Sequence, residues 1–298
     1  MTRKTKGLIS VSIPVITWGI SFVSTEYLLD YLGPMTIGAI RFVIATAIMF
    51  AMMKIMKEPL KVHKKDRPLF ILAGTIGIAI YFYFENTGIM YISASPAALI
   101  IASIPMFTLI FEGLIFKRRI DKIDVLAILI SIAGVVLIID LRFESLFVVE
   151  ETIGYLMMLG AVLSWVVYSM ASKPLFRSYS YLTIIFYQFL YSLPFFLIVA
   201  PFEKNNWSAV PIEGIMHLIF LSVFASVLGF YYFARSMDLL GITESSLFIN
   251  FLPIVTIVFS YLYLGQLISV KQFVGGALVM LSLTVTNVRE KRLAASKI

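Results

Sequence analysis

The chain has no cysteine, two histidines and few charged residues. Without cysteine, disulfides, thiolate metal sites and thiol redox chemistry are excluded. His63 and His217 stand far apart and have no partner at metal-ligand spacing, so neither a metal nor a cofactor is expected. No phosphate loop, zincin helix or nucleophile elbow is present, which argues against an ATP-driven pump within this chain. Charged residues make up 14% of the sequence, whereas soluble globular proteins carry about 25%.

The sequence instead consists mainly of long apolar runs. It is 60% hydrophobic with a mean hydropathy of +0.96, and a run of roughly 18 apolar residues predicts a membrane helix. Backbone cannot stay unpaired in lipid, and these runs do not alternate as barrel strands do, so the spans are predicted to be helical. The predicted fold is an all-α membrane protein with ten transmembrane helices, at about 8–29, 35–56, 68–90, 94–116, 123–140, 152–172, 180–201, 212–235, 242–264 and 270–288.

The second half of the chain repeats the first. Residues recur 147 or 148 positions later: Trp18 as Trp165, Arg41 as Gln188, Tyr83 as Tyr231, Pro105 as Pro253 and Thr108 as Thr256. An odd number of spans duplicated in tandem places the second copy upside down relative to the first, as in alternating-access transporters. The sequence therefore predicts one membrane domain made of two inverted five-helix repeats, residues 1–145 and 146–298.

The net charge of +7 is sorted by loop. Basic residues gather at both termini and in alternate loops, notably 54–67 and 117–122, whereas the other loops hold only Arg142, Lys204 and Lys271. This positive-inside pattern predicts a multi-pass plasma-membrane protein with both termini in the cytoplasm. The basic loops then meet anionic lipid rather than nucleic acid. The expected partners are the bilayer and a small-molecule substrate, and the pattern leaves a monomer and a homodimer open.

Two charged residues lie deep within predicted spans, where ionisable groups are costly and mark functional sites. Glu85, beside Asn86 in the third span, can carry a proton across a gate or bind a cationic amine; the alternatives are a structural hydrogen bond or snorkelling to the outer interface. Arg41 can anchor a substrate carboxylate, or pair with Glu85 or Glu26. Its repeat counterpart Gln188 is uncharged, so the repeat does not demand a charge at that position.

Aromatic and small polar residues inside the spans are the other candidates for substrate binding. An aromatic wall that stacks on flat apolar groups or ammonium can be built from Trp18, Tyr83, Trp165, Tyr168 and Tyr231. The alternative for these residues is core packing or lipid contact. The polar candidates, either pocket groups or interhelical hydrogen-bonding residues, are Ser21, Ser95, Ser245 and Asn250.

Ordered motifs over the whole chain resemble the EamA-type drug/metabolite transporters. They are Trp18-Gly19-Ile20-Ser21-Phe22, Gly33-Pro34-Met35-Thr36, Arg41-Phe42, Glu85-Asn86, Tyr91-Ile92-Ser93-Ala94-Ser95, Pro105, Ser164-Trp165, Tyr168, Pro253 and Gly265. The resemblance implies ten helices around a central cavity lined mainly by spans one, three, four, six, eight and nine. It also implies export, or less often import, of amino acids, other metabolites or drugs, driven by proton or substrate gradients. One departure is that the family often ends its fourth and ninth spans in Gly-Glu, where this chain has Lys117-Arg118 and Gly265-Gln266.

Together these features predict a secondary active transporter and not an enzyme. It is expected to export small metabolites such as amino acids or drug-like amines by alternating access, with Glu85 as the candidate proton carrier. The alternative is a membrane-embedded enzyme acting on a lipid-linked substrate. Such an enzyme needs paired titratable groups that can activate a nucleophile or bind a metal. Within its spans the chain offers little beyond Glu85 and Arg41 for such chemistry. A channel is disfavoured because a pseudo-twofold monomer does not form a ring of identical groups.

Overall fold

The computed structural model describes residues 2–116, 122–139, 149–240, 245, 248 and 250–295. Within these ranges the chain is predominantly helical and has no β-strand. The prediction of an all-α protein is confirmed. The predicted boundary between the repeats, at residues 145 and 146, lies outside the described residues, as do Lys117 and Arg118.

The first repeat contributes five helical spans. Their bounds are α1 (Arg3–Leu29), α2 (Pro34–Ile55), α3 (Arg67–Gly74, Thr75–Ile80 and Tyr81–Ile92), α4 (Ala94–Ile101 and Ile104–Phe116) and α5 (Lys122–Ile139). The middle segment of α3 is π-helical. Ser93, between α3 and α4, has a φ of 67° and a ψ of 171°. Only glycine adopts this conformation readily, so the turn that joins the two spans without a loop is strained.

The second repeat contributes the matching five. They are α6 (Val149–Ser172), α7 (Tyr181–Val199), α8 (Ile212–Ile219, Phe220–Leu228 and Gly229–Leu240), α9 (Leu252–Phe259 and Ser260–Leu264) and α10 (Val270–Ala295). Six of the ten spans, α1, α2, α3, α6, α7 and α8, are long and apolar enough to cross a membrane by themselves. The other four contain shorter apolar helices, namely Ala94–Thr108, Val125–Ile138, Leu252–Leu264 and Val270–Ser282.

Irregularities in the helices follow the repeat. The π-helical segment of α3 (Thr75–Ile80) has its counterpart in the π-helical segment of α8 (Phe220–Leu228). The helical hydrogen bonding is interrupted at residues 102–103 of α4 and at residues 250–251, which precede the first segment of α9. A proline follows each interruption, at Pro105 and Pro253, where a missing N–H costs little because the first turn of a helix leaves it unpaired. Because π-bulges often occur at functional sites, α3 and α8 are candidates for carrying the site.

Equivalent spans of the two repeats run in opposite directions. Along α2, Thr36 contacts Ala200, Phe42 contacts Phe189 and Phe50 contacts Phe186, so the α7 numbers fall as the α2 numbers rise. Helices α5 and α10 are also antiparallel, because Gly134 lies against Val279 and Gly275 lies against Ile138. The absence of a side chain at both glycines lets these two backbones approach closely. The inverted arrangement predicted from the odd span count is therefore confirmed.

The packing between the repeats has twofold character. Helix α1 packs on α8 and α9 of the second repeat, while its counterpart α6 packs on α3 and α4 of the first. The pairs α2–α7, α4–α9 and α5–α10 each join a span to its own repeat counterpart. This exchange of partners is what a pseudo-twofold axis through the bundle produces, so the core of the protein is the interface between its repeats.

The α2–α7 pair is fastened by one carboxylate at each end. Glu203 accepts hydrogen bonds from the Thr36 backbone N–H (2.7 Å) and the Thr36 hydroxyl (2.9 Å) at the start of α2. Glu58 accepts from the Ser180 hydroxyl (2.9 Å) and the Thr183 hydroxyl (3.5 Å) at the start of α7. A carboxylate at a helix N-terminus satisfies free donors and complements the helix dipole. Hydrogen bonds therefore connect α2 and α7 at both ends of the pair.

Candidate functional site

An aromatic cluster lies where the repeats meet. The rings of Trp18 and Trp165 are 6.0 Å apart, and those of Phe42 and Phe189 are 5.0 Å apart. Each pair consists of repeat counterparts, so the pseudo-twofold axis passes between them. Phe230 contacts three of the four rings: Trp18 at 5.2 Å, Phe189 at 5.3 Å and Trp165 at 6.3 Å. The predicted aromatic wall thus contains both tryptophans at the centre of the molecule.

The two tryptophans differ in their surroundings. Trp18 is 7% exposed, and its indole Nε1–H donates to the Ala225 carbonyl (2.8 Å) in the π-helical segment of α8. Gly229 lies so close to this ring that a Cβ there would stand 2.5 Å from Nε1. Trp165 is only half-buried and packs on Tyr81 at 5.1 Å. Trp18 is therefore a fully anchored core residue, whereas Trp165 retains surface that a substrate can contact.

Tyr168 is held against Trp165 by a short polar chain. Its ring lies 4.9 Å from that of Trp165, and its hydroxyl donates to Gln188 Oε1 (3.2 Å). Gln188 is fully buried, and its Nε2 donates to Ser172 Oγ (2.8 Å). Gln188 therefore positions an aromatic side chain in the second repeat, with no charged group in this hydrogen-bonded chain.

The equivalent region of the first repeat is charged. Arg41, Tyr81 and Glu85 are 2%, 5% and 3% exposed, respectively. The Tyr81 hydroxyl donates a hydrogen bond to the Glu85 carboxylate one helical turn away, and Arg41 lies close enough to Glu85 for the two side chains to interact electrostatically. Arg41 stands seven residues after the start of α2 and Glu85 seven before the end of α3, which puts both about 10 Å from the same side of the bundle. A cation, a carboxyl group and a phenol thus share one buried site.

Arg41 also connects the repeats. Its Nε donates to the hydroxyl of Ser226 (2.6 Å), which lies in the π-helical segment of α8. Its Cζ lies 4.4 Å from the centroid of the Phe82 ring, a cation–π distance. This is the one hydrogen bond that the guanidinium makes to a described residue, although the group carries five N–H donors. The remaining donors suit an anionic group of a substrate.

Several predicted polar residues are buried with unused hydrogen-bonding capacity. Asn86 donates through Nδ2 to the Pro34 carbonyl (2.9 Å), but its Oδ1 has no partner among the described residues. The same is true of Ser245 Oγ and Asn250 Oδ1 in the ninth span. Ser95 is also buried. Because an unpaired buried polar atom is costly, these groups are available to a substrate or to water.

Three predicted residues are not brought into this cluster. The Ser21 hydroxyl is occupied by the Trp18 carbonyl of its own helix (2.7 Å). Tyr83 and Tyr231 are half-buried, and their ring contacts are with their neighbours Phe84 and Tyr232. Substrate binding by these three residues stays a prediction without support from ring or hydrogen-bond contacts to the cluster.

The sequence interpretation missed Tyr81 and Ser226. Tyr81 precedes Glu85 by four residues, a spacing that places both on one helix face, so this signal was present in the sequence. Ser226 had no such signal, because a π-helical segment shifts the face that a residue presents.

At the opposite end of α1 from the N-terminus, Glu26 forms a separate polar network. Its carboxylate accepts from the Ala94 backbone N–H at the start of α4 (2.8 Å) and from Gln266 Nε2 (2.7 Å). Gln266 Oε1 in turn accepts from the Ser260 hydroxyl (2.9 Å). Of the two carboxylates considered as partners of Arg41, Glu85 is therefore the one near it. No group of three or more histidine or acidic side chains that could hold a metal occurs in the described part of the chain.

Comparison with known proteins places this architecture in context. The sequence model described as the EamA-like transporter family matches residues 5–140 and 152–288. An uncharacterized transporter of Archaeoglobus fulgidus is 26% identical over 286 residues, covering 94% of this chain and 98% of its own. A probable terminal-alkyne amino-acid exporter of Streptantibioticus cattleyicolor is 23% identical, covering 96% and 95%. A crystal structure at 19% identity superposes with a TM-score of 0.68 over 96% of this chain and 98% of its own, which supports the fold alone.

Proposed function

Because the chain belongs to the EamA-like transporter family, we propose that it exports small metabolites, such as amino acids or drug-like amines, by proton-coupled alternating access. Its family and the names of its relatives identify it as a membrane transporter rather than an enzyme. The relative from Streptantibioticus cattleyicolor is named as a probable amino-acid exporter, which makes amino acids the first substrates to test.

The observation that carries this proposal is the position of the charged cluster beside the interface between inverted repeats. Arg41 of the first repeat is hydrogen-bonded to Ser226 of the second, and Glu85 shares its environment. When inverted repeats rock against each other, a site at their interface is exposed first to one side and then to the other. A group in such a site can pick up a proton on one side and release it on the other.

The proposed coupling is competition at Glu85. A proton entering from outside neutralises the carboxyl group and releases a bound substrate ammonium; a substrate entering from inside displaces the proton. The Tyr81 hydroxyl, which donates to the carboxylate, can stabilise the charged form until the proton arrives. Arg41 balances the buried negative charge and has donors left for a substrate carboxylate.

The proposed binding surface is asymmetric. The first repeat supplies the charged groups, whereas the second supplies Trp165 and Tyr168, with Gln188 behind them. A molecule with a polar, ionised end and an apolar body satisfies both sides, because aromatic faces contact apolar groups and ammonium alike. A free α-amino acid has this character.

We also propose that both termini are cytoplasmic and that the protein resides in the plasma membrane as two repeats, 1–145 and 146–298. Hydrogen bonds connect the basic segments on one side of the bundle. The Tyr179 hydroxyl donates to the Asp66 carboxylate (2.6 Å), and the Arg3 guanidinium donates to the Asp238 carbonyl (2.9 Å). The opposite end joins loops poor in basic residues, as when the Asn206 N–H donates to the Tyr31 carbonyl (2.8 Å). The positive-inside rule assigns the basic end to the cytoplasm.

The test is a flux screen with purified protein in liposomes. Radiolabelled amino acids, polyamines and fluorescent cationic dyes are offered with and without an inward-directed pH gradient. Net flux of at least one compound class that rises with the gradient is the expected result, with protein-free liposomes as the control. If the flux of every transported compound is the same with and without the pH gradient, proton coupling is rejected but facilitated transport is not.

A further inference from the structure

The Arg41 side chain in α2 is fixed from two directions by contacts to other spans. Its Nε donates to the Ser226 hydroxyl of α8 at 2.6 Å, and its Cζ lies 4.4 Å from the centroid of the Phe82 ring of α3. The ring restricts the tilt of the guanidinium plane, and the hydrogen bond restricts rotation within that plane. Because Arg41 and Ser226 are 2% and 0% exposed, bulk water does not compete for this charge-assisted bond. The protein therefore determines the orientation of the guanidinium.

The bond to Ser226 occupies one edge of the guanidinium and leaves another edge available. An arginine side chain carries one N–H donor on Nε and four on its two Nη atoms. The Nη donors of Arg41 make no hydrogen bond within the described part of the chain. A carboxylate binds arginine through two parallel N–H donors. With Nε engaged by Ser226, the free pair is the one that the two Nη atoms present, so Arg41 is prepared to bind one carboxylate in one orientation.

The arginine and its serine occur together in only one half of the repeated sequence. The offset of 147 places Gln188 at the position of Arg41, and the offset of 148 places Ile78 at the position of Ser226. Ile78 has no polar side-chain atom, and Gln188 instead belongs to the polar chain behind Tyr168. Both equivalent segments, Thr75–Ile80 and Phe220–Leu228, are π-helical. The serine is therefore associated with the charged half of the site and not with the helix irregularity that both halves share.

From this geometry we propose that Ser226 is a specificity-determining residue, which positions Arg41 to bind the carboxylate of a substrate and so selects α-amino acids over amines that lack one. Glu85 shares the buried site with Arg41. The cation and the carboxylate of the site then match the adjacent carboxylate and ammonium of a free α-amino acid. Ser226 acts through Arg41 and is a positioning residue. This inference rests on the proposed function, whose substrate class it narrows.

The test is equilibrium binding to purified protein in detergent, measured by isothermal titration calorimetry without a pH gradient. The probes are the common amino acids and, for the one that binds most tightly, the amine that lacks only its carboxylate. Wild-type protein should bind the amino acid more tightly than the amine. Ser226→Ala should weaken binding of the amino acid about three- to tenfold, because the substrate must then immobilise a flexible arginine, while the affinity for the amine changes less than about twofold.

Ser222→Ala is the matched control. Ser222 is fully buried in the same π-helical segment, but its hydroxyl donates to the Leu218 carbonyl of its own helix (2.7 Å). Its substitution should leave the ratio of the two affinities at the wild-type value.

A second background tests whether Ser226 acts through Arg41. Arg41→Lys keeps the charge but loses the paired donors, so adding Ser226→Ala to it should cause no further loss of amino-acid binding. Every variant is first checked for monodispersity. Should Ser226→Ala fail to fold, Ser226→Cys decides the outcome, because it keeps the side-chain volume and offers only a weak sulfur acceptor.

Three results would overturn the proposal. They are an equal loss of affinity for the amino acid and the amine in Ser226→Ala, an unchanged affinity for the amino acid in that variant, and a wild-type protein that does not prefer any amino acid to its amine. The outcome is separate from that of the flux screen. Gradient-driven flux of amines alone would retain the proposed function and reject this inference, whereas amino-acid binding that depends on Ser226 without gradient-driven flux would do the reverse for proton coupling.

Discussion

The indole rings of Trp18 and Trp165 meet edge to face at 6.0 Å, with an interplanar angle of 81°, although 147 positions separate them in the sequence. They are repeat counterparts, so the pseudo-twofold axis runs through their contact. Yet one ring is anchored by a hydrogen bond to Ala225 and the other is partly open. The repeated sequence therefore produces a centre in which the two halves are not equivalent. This difference allows the two halves to play different roles.

Replacing each tryptophan should separate packing from transport. Trp18→Ala removes a buried ring and its hydrogen bond and should lower stability by about 3–5 kcal/mol. Trp165→Ala should cost less because the side chain is already half exposed, while transport falls. Thermal unfolding in detergent gives the first quantity and liposome flux the second. Equal losses of stability in both variants would mean that Trp165 is a packing residue as well.

Gly229→Ala should disturb the anchor of Trp18. The new Cβ would stand 2.5 Å from Trp18 Nε1, so the ring or α8 must move, and the bond to Ala225 is lost or lengthened. A shift in tryptophan fluorescence together with a lower unfolding temperature is expected. Gly214→Ala is the control in the same span, because its Cβ would meet Val210 at 2.9 Å, Pro211 at 3.5 Å and Leu28 at 3.7 Å, none of which is aromatic. An unaltered spectrum for Gly229→Ala would contradict the close approach.

Much of this centre could be predicted from the sequence, and the reasons for the exceptions are physical. The repeat offset located Trp18, Trp165 and the Arg41–Gln188 pair because internal duplication preserves position within a span. It could not show that Tyr83 turns away from the axis while Tyr81 faces it, since the π-helical segment just before Tyr81 changes the helical phase. A single sequence contains no pattern that indicates which distant spans contact each other.

The hydrogen-bond network around Glu26 illustrates the same limit. Gln266 stood out because it replaces a glutamate typical of similar proteins, but its partner Glu26 is 240 residues away. Nothing in the spacing of one sequence links these two positions. Only the packing of α1 against α9 brings them together.

Topology is open to a direct check. Glu150 lies at the start of α6, and Lys65 lies in the basic connection between α2 and α3. In whole cells, a membrane-impermeant thiol reagent should label Glu150→Cys and spare Lys65→Cys, since the parent chain has no cysteine to interfere. The reverse pattern would invert the assigned orientation, and labelling of both would be incompatible with the span count.

The polar chain behind Tyr168 should matter for the pocket. Gln188→Leu removes the acceptor of the tyrosine hydroxyl and the donor to Ser172, and the loss of buried hydrogen bonds should cost about 1–3 kcal/mol. Tyr168→Phe with Gln188→Leu should recover part of that stability, because one unpaired group is also removed. A double-mutant cycle on unfolding temperature measures the coupling, and strictly additive losses would show that the two side chains act independently.

The most direct test of proton-coupled alternating access is Glu85→Gln in purified, reconstituted protein. The amide mimics the protonated carboxyl group and can neither gain nor lose a proton. Net substrate flux driven by a pH gradient is expected to fall to the protein-free level, and exchange of substrate against substrate should weaken as well, because the neutral amide no longer binds the substrate ammonium. Glu150→Gln, an exposed carboxyl group at the start of α6, should retain both activities. Undiminished pH-driven flux in Glu85→Gln would contradict the mechanism and leave Glu85 as a hydrogen-bonding partner of Tyr81.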